Sequence, residues 1–200
     1  MKPKINEGDF YKSINQAISE GRHVDYLKEV IKKYEEYKQE FENNFTDKNP
    51  KDFIYKFRVT YNLKKPVWRE IELFGKHTFL NFAETIIDSM GWDNDHMHGF
   101  EIPEQKGKAD PFFTGSSIAF FAPGWEDDPH PTFKTDKVKI SNIDYEKLPK
   151  LHFIFDFGDN HEFNVEFMGM RNPDKKEKIG DFPKVVDRHG VGPKQYPEYD

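Results

Sequence analysis

The chain has 200 residues, a net charge of −6 and no cysteine. Without cysteine there are no disulfides or thiolate metal ligands, and the acidic balance argues against nucleic acid as the main partner. No apolar run approaches the roughly 18 residues of a membrane span, and residues 1–10 lack the apolar segment of a signal peptide. We therefore expect a cytoplasmic protein with no membrane partner. Aromatic residues reach 16%, including 20 Phe, so we expect a core built largely from rings.

The N-terminal quarter, residues 1–50, is predicted to form a helical extension. Apolar side chains recur at helical spacing over 9–20, and Gly21 is expected to end that helix. A second helix is predicted over 24–43. The spacing would also suit a coiled-coil seam, but the run is shorter than three heptads, so packing on the following domain is favoured. We place that domain at residues 51–200.

The period of the apolar side chains changes from helical to two at residue 53. Alternation over 53–61 and again over 67–74 predicts two strands that pair antiparallel. A helix is then predicted over 78–90, because its apolar residues fall on one face. Thr78 is the expected N-cap, and Gly91 the expected left-handed residue that follows the last turn.

A strand over 96–102 is followed by a loop-rich stretch, 103–136, in which prolines and aromatic rings are mixed. A disordered linker would not carry so many rings, so we predict a folded excursion with a short strand near 117–121. The rings are expected to pack into the core, and the alternative is a ligand lid. A strand fragment and one helical turn are predicted within 137–150.

The last regular pattern is a hairpin. Residues 151–157 and 161–167 alternate on either side of a turn that contains Gly158. The tail from Met170 onward carries few apolar residues and is predicted to be irregular. The order of elements favours an α+β fold, in which a mostly antiparallel sheet has one helix packed across a face.

Three stretches carry a family resemblance when they are taken together. Segment 65–71, KPVWREI, resembles a PxWRRI strand; segment 90–100, MGWDNDHMHGF, resembles MGWxxxHLHxF; and segment 155–159, FDFGD, resembles YDFGD. In this order they resemble the signature of the plasmid pRiA4b ORF-3-like family, some of whose members are labelled insertion-element passenger or TnpR-like proteins. The resemblance covers residues 53–192. It implies an α+β fold and a genetic association with plasmids or mobile elements, and it implies no defined activity.

The chain also departs from the family pattern. His161 stands where the DFGDxWxH stretch of the family has its tryptophan, and Phe163 stands where it has its histidine. The cysteine of the C-terminal CxxGxxxxPPEDxGG pattern is missing from residues 186–196, and an acidic pair survives only within 197–200. A function that rests on that histidine, cysteine or acidic pair is therefore not carried over to this chain.

The leading functional prediction is a non-enzymatic accessory or interaction module with a protein or small molecule as its partner. The binding surface is predicted between residues 91–100 and the turn at 156–161. The candidate binding residues are Trp92, Asp95, Asp156 and Asp159.

The first alternative is a metal-dependent enzyme. His96 and His98 lie two residues apart on a predicted strand, so their rings would point to the same face, with Cα atoms about 6–7 Å apart. His161 could complete a site for a divalent metal such as zinc or iron. The structural interpretation is that these histidines hydrogen-bond to carbonyls or carboxylates and that Trp92 caps the core. Asp159 is expected to cap the backbone of its own turn. A nucleic-acid-associated protein is the remaining alternative, and the net charge disfavours it.

Overall fold

The structure is a computed structural model that describes residues 3–4, 7–32, 34, 38–39, 42–61, 63–102, 117–121 and 133–196. Most of the predicted excursion over 103–136 lies outside these residues. So do parts of the predicted helix over 24–43, and residues 197–200.

The two N-terminal helices are α1, Glu7–Ser19, and α2, Val24–Lys32. Gly21 follows α1 with φ of +74°, so the predicted end of that helix is confirmed. Residues 34, 38–39 and 42 are also helical, within the span predicted for the second helix. Buried residues of both helices belong to the same apolar cluster as the sheet: Ile14, Ala17, Leu27 and Val30. None of the helices in the described ranges has the length and hydropathy needed to cross a bilayer.

The described strands form one sheet in the order β5-β4-β3-β6-β7-β1-β2-β8. Neighbouring strands are antiparallel except β4 and β5, which are parallel. The predicted α+β class is confirmed, and the predicted short strand near 117–121 is present. The strands are β1 Ile54–Tyr61, β2 Val67–Phe74, β3 His98–Ile102, β4 Ser117–Phe121, β5 Phe133–Lys134, β6 Lys150–Phe155, β7 His161–Arg171 and β8 Lys184–His189.

Helix α3, Phe79–Met90, packs through aromatic rings on the sheet. The ring of Phe82 lies 4.8 Å from that of Phe57 on β1, and Phe79 lies 4.9 Å from Phe100 on β3. Both predicted helix ends are confirmed. The Thr78 hydroxyl accepts from the Asn81 N–H while the Asn81 side chain accepts from the Thr78 N–H, and Gly91 is left-handed with φ of +79°.

The prediction that the tail from Met170 is irregular is wrong. Strand β7 continues to Arg171, and β8 pairs antiparallel with β2 at the edge of the sheet. Before β8, Phe182 is buried edge-on against Phe74, with ring centroids 5.0 Å apart. Four of the six residues of β8 are exposed, so the strand has little alternation for a sequence to display. Backbone pairing with β2 is what makes this segment a strand.

Candidate functional site

The two predicted motif segments lie side by side. Strand β3 pairs with β6 so that His98 is opposite Phe155, and β6 pairs with β7 so that Phe155 is opposite His161. The Asp156 N–H also donates to the Met97 carbonyl at 3.0 Å. One end of the sheet therefore carries both motifs.

The turn between β6 and β7 is closed by Asp156. Its Oδ1 accepts from the backbone N–H of Gly158 at 2.9 Å and of Asp159 at 3.3 Å. Asp156 and Asn160 both have φ of +55°, in the left-handed region that Asp and Asn tolerate best among residues with a side chain. The expectation that the side chain of Asp159 caps this turn is corrected. The carboxylate of Asp156, and not that of Asp159, accepts the hydrogen bonds from the main-chain N–H groups of the turn.

Trp92 and His161 form the centre of the site. Both are buried, and their ring centroids lie 4.4 Å apart. The Trp92 Nε1–H donates to the Pro193 carbonyl at 2.8 Å. His161 Nε2 lies 2.8 Å from the Gln195 carbonyl, and Nδ1 lies 3.2 Å from the Tyr61 hydroxyl. Since a carbonyl only accepts, a neutral His161 ring carries its proton on Nε2, and Nδ1 accepts from the tyrosine.

The side chain of Gln195 completes this contact from the tail. Its Oε1 accepts from the Asp93 N–H at 2.8 Å, and its Nε2 donates to the Asp93 carbonyl and to Asp95 Oδ1, both at 2.9 Å. The Tyr196 hydroxyl donates to Asp95 Oδ2 at 2.5 Å. This hydrogen bond holds the pKa of Asp95 below its ordinary value and raises the pKa of Tyr196 to about 12.

The segment 190–196 that supplies these contacts approaches the helix end closely. A Cβ at Gly192 would lie 2.3 Å from the Met90 carbonyl oxygen, so only glycine fits. Arg69 on β2 is 3% exposed and donates to the carbonyls of Ser89, His189 and Gly190 at 3.0–3.2 Å. It thereby ties the end of α3 to the start of this segment.

Sequence reasoning did not identify Arg69, Gln195 or Tyr196. The signal at Arg69 is its position in β2: the residues two away on either side, Val67 and Ile71, are apolar, so a charged side chain is unusual on that face. Gln195 and Tyr196 follow no periodic pattern that indicates a contact with residues 93–95.

The other two predicted histidines have different surroundings. His98 is 3% exposed, its Nε2 lies 3.2 Å from the Thr135 hydroxyl, and burial lowers its pKa to about 4. The structure begins β3 at His98, so the predicted strand over 96–102 is shorter at its start. His96 lies before it, exposed, with Nε2 3.5 Å from Asp156 Oδ2.

The three predicted histidines contact different groups: His96 lies near Asp156, His98 near Thr135, and His161 near Tyr61 and Gln195. The Phe155 ring lies 6.2 Å from that of His96 and 6.4 Å from that of His161. Among the residues that the structure describes, no three His, Asp or Glu side chains are arranged to hold a metal ion. The divalent-metal site stays a prediction.

The arrangement holds a short piece of polypeptide, the chain's own residues 193–196, of which 195 and 196 form a bend. We call the surface between Trp92–Asp95 and Asp156–His161 the docking groove. Ring N–H groups of Trp92 and His161 lie against the carbonyls of Pro193 and Gln195. The Gln195 side chain in turn hydrogen-bonds to the main-chain N–H and carbonyl of Asp93. The chain's own residues 193–196 therefore lie against part of the surface predicted from the sequence, at Trp92, Asp93, Asp95 and His161, and the binding of a partner there stays a prediction.

Comparison with known proteins places the chain in a family. A crystal structure of a protein of unknown function, MM3350 from Methanosarcina mazei Go1, is similar to it with a TM-score of 0.55 and 22% sequence identity, over 70% of this chain and 71% of that one. That likeness shows the fold alone. The curated proteins contain no match. The sequence model described as plasmid pRiA4b ORF-3-like protein matches residues 53–195, well over half of the chain. The chain therefore belongs to the plasmid pRiA4b ORF-3-like protein family.

Proposed function

We propose that the protein is a non-enzymatic interaction module whose docking groove binds an extended peptide segment. The observation that carries the proposal is the seating of residues 193–196. Their carbonyls accept from Trp92 Nε1 and lie against His161 Nε2, as a bound peptide's would. Recognition through main-chain groups is a common way to hold extended segments.

The charge of the groove favours a basic partner. Asp93, Asp95 and Asp156 lie near enough to Tyr196 to raise the pKa of its hydroxyl, Asp159 lies in the same turn as Asp156, and the chain's own segment carries an exposed lysine, Lys194. Complementary charge at the rim of a binding surface mainly raises the association rate and disfavours acidic partners, and it adds less to the affinity. We therefore propose a protein partner that presents a short extended segment with lysine or arginine at the matching position.

The partner would displace the chain's own tail. A covalently attached segment acts at an effective concentration in the millimolar range, so a free peptide competes poorly unless the tail is loosened. Regulation of the groove would then depend on how tightly segment 190–196 is seated. The proposal includes a cytoplasmic location, and an association with plasmids or mobile elements rests on the family's name.

A synthetic peptide with the sequence of residues 190–196 tests the proposal. In Gly192→Ala the added methyl group collides with Met90, so the attached tail is released and the free peptide should bind. The matched control is Gly180→Ala, because a Cβ at Gly180 meets no atom within 4 Å. Fluorescence anisotropy of the labelled peptide should give binding to Gly192→Ala at least about tenfold tighter than to the wild type or to Gly180→Ala.

A second variant keeps the test valid if Gly192→Ala fails to fold. Gln195→Ala deletes the side-chain hydrogen bonds to Asp93 and Asp95 and adds no atoms, and it should also bind the free peptide. Folded Gly192→Ala and Gln195→Ala proteins that both fail to bind the peptide would overturn the proposal. Circular dichroism establishes that each variant is folded.

The metal-dependent enzyme and the nucleic-acid-associated protein remain alternative hypotheses. The contacts of the histidines favour the interaction module, since both nitrogens of His161 lie against protein groups and His98 Nε2 faces a hydroxyl. For nucleic acid, a net charge of −6 is unfavourable.

A further inference from the structure

A cavity of about 710 Å³ lies at the other end of β7 from the docking groove. Its lining comes from two loops, 43–49 and 144–147, together with Tyr55 and three residues at the end of β7: Phe167, Gly169 and Met170. Phe167 is six residues along β7 from His161, a distance of about 20 Å, so the cavity is separate from the groove. Its volume falls within the roughly 300–1,000 Å³ of small-molecule sites.

The two loops that form the walls are tied to each other. Phe45 and Ile143 form an isolated antiparallel bridge, the Thr46 N–H donates to the Asn142 carbonyl at 2.7 Å, and the Asp144 N–H donates to the Asn44 carbonyl at 2.9 Å. The Asn49 side chain adds a hydrogen bond to the Ile143 carbonyl. Because the walls are joined by main-chain hydrogen bonds, the cavity is formed before any ligand enters.

The floor of the cavity is aromatic. Tyr145 and Phe167 are stacked with centroids 4.3 Å apart, and Tyr55 packs 6.1 Å from Phe167. The tyrosine hydroxyls point elsewhere, since that of Tyr145 donates to the Ile140 carbonyl and that of Tyr55 to the Pro50 carbonyl. Burial raises the pKa of Tyr55 to about 12 and also raises the pKa of Tyr145, so both remain neutral phenols. Tyr55 is 0% and Tyr145 7% exposed, so the half-buried ring of Phe167 supplies most of the ring surface that the floor offers.

The rim of the cavity is more acidic than basic. Asp47, Asp144 and Glu146 line it together with two lysines, and one of these, Lys147, is paired with Asp144 at 2.9 Å. Aromatic faces carry negative electrostatic potential, which attracts cations. A negative rim above an aromatic floor selects a ligand that combines an apolar ring with a positive charge.

We propose that this cavity binds a small aromatic amine, with the ring against Phe167 and the ammonium group toward Asp47 and Glu146. The exposed side chain of Met170 lines the same cavity and would cover the ligand's ring. The proposal is independent of the docking groove and of any peptide bound there.

Phenethylamine is the probe, and phenethyl alcohol is its uncharged counterpart. Amide shifts in two-dimensional NMR spectra should report saturable binding of the amine with a Kd of about 1 mM or below, and the perturbed signals should include Asp47 and Gly169. The alcohol should bind more weakly. No saturable binding of the amine, or equal binding of the alcohol, would overturn the proposal.

Two variants locate the site. Met170→Ala should weaken phenethylamine binding about fivefold through lost apolar contact, and Glu146→Gln should weaken it about threefold through lost charge. Met168→Ala is the matched control, because Met168 is 46% exposed against 48% for Met170 and does not line the cavity. Binding that is unchanged in both Met170→Ala and Glu146→Gln, or weakened equally in Met168→Ala, would overturn the location.

Discussion

Burial of His98 makes the stability of this fold depend on pH. The ring is 3% exposed, next to Phe153 at 6.0 Å, with the Thr135 hydroxyl at its Nε2. Protonation would place a charge in this apolar setting, and burial accordingly lowers the pKa from 6.5 to about 4. In the unfolded chain the same ring titrates near its ordinary value.

The sign and size follow from linkage. Between pH 6.5 and 4 the unfolded state binds a proton that the folded state does not, so acidification favours unfolding. Full stability is present above pH 6.5 and is lost progressively down to pH 4. A pKa difference of about 2.5 units corresponds to about 3 kcal/mol.

The comparison of wild type with His98→Gln isolates this contribution, because all other titrating groups cancel in the difference. Urea unfolding at pH 7 and pH 4 should give a loss of stability about 3 kcal/mol larger in the wild type than in the variant. His96→Gln removes a neighbouring exposed histidine and controls for the substitution itself. A wild type and a His98→Gln variant that lose stability in parallel would refute the reasoning.

The remaining predictions concern the tail contacts and the metal alternative. Arg69→Met should lower the free energy of unfolding in urea by about 3 kcal/mol, since the carbonyls that Arg69 ties together lose their buried donor; an unchanged midpoint would contradict this role. Tyr196→Phe should raise the pKa of Asp95, as followed by carbon-detected NMR titration, because the hydroxyl that stabilises the carboxylate is lost. Elemental analysis of protein purified without a histidine tag should find less than stoichiometric zinc, iron or manganese; stoichiometric metal that disappears in His98→Ala would favour the enzyme instead.

Elements with a strong local pattern could be predicted from the sequence. Alternation of side-chain type predicted β1 and β2. In β1 buried residues largely alternate with half-buried ones, whereas β2 is buried on both faces from Arg69 to Phe74 although its apolar and charged residues alternate. Helix α3 was delimited by Thr78 and Gly91, whose roles depend on their own side chain or lack of one. The prediction of a shared surface assumed that the strands of the two motif segments are neighbours, and the pairing of β3 with β6 confirms this.

The contacts of the tail could not be predicted in this way. Strand β8 forms because its main chain pairs with β2. Main-chain hydrogen bonds do not require a particular side-chain pattern, so the sequence of β8 does not indicate a strand. The hydrogen bonds between Gln195 and Asp93 join residues about 100 positions apart in the sequence. They form because the path of the intervening chain brings the tail back to residues 93–95, and no local pattern specifies that path.

For this protein, then, the sequence by itself determined the class of the fold and the ends of its clearest helix, because these depend on short-range periodicity and on capping residues. Only the tertiary structure decided that the groove is filled by residues 193–196, that Arg69 is a buried tie and that a ring-floored cavity opens beside Phe167. Each of these arises where segments distant in sequence come within hydrogen-bonding or van der Waals distance, and no local pattern encodes that proximity.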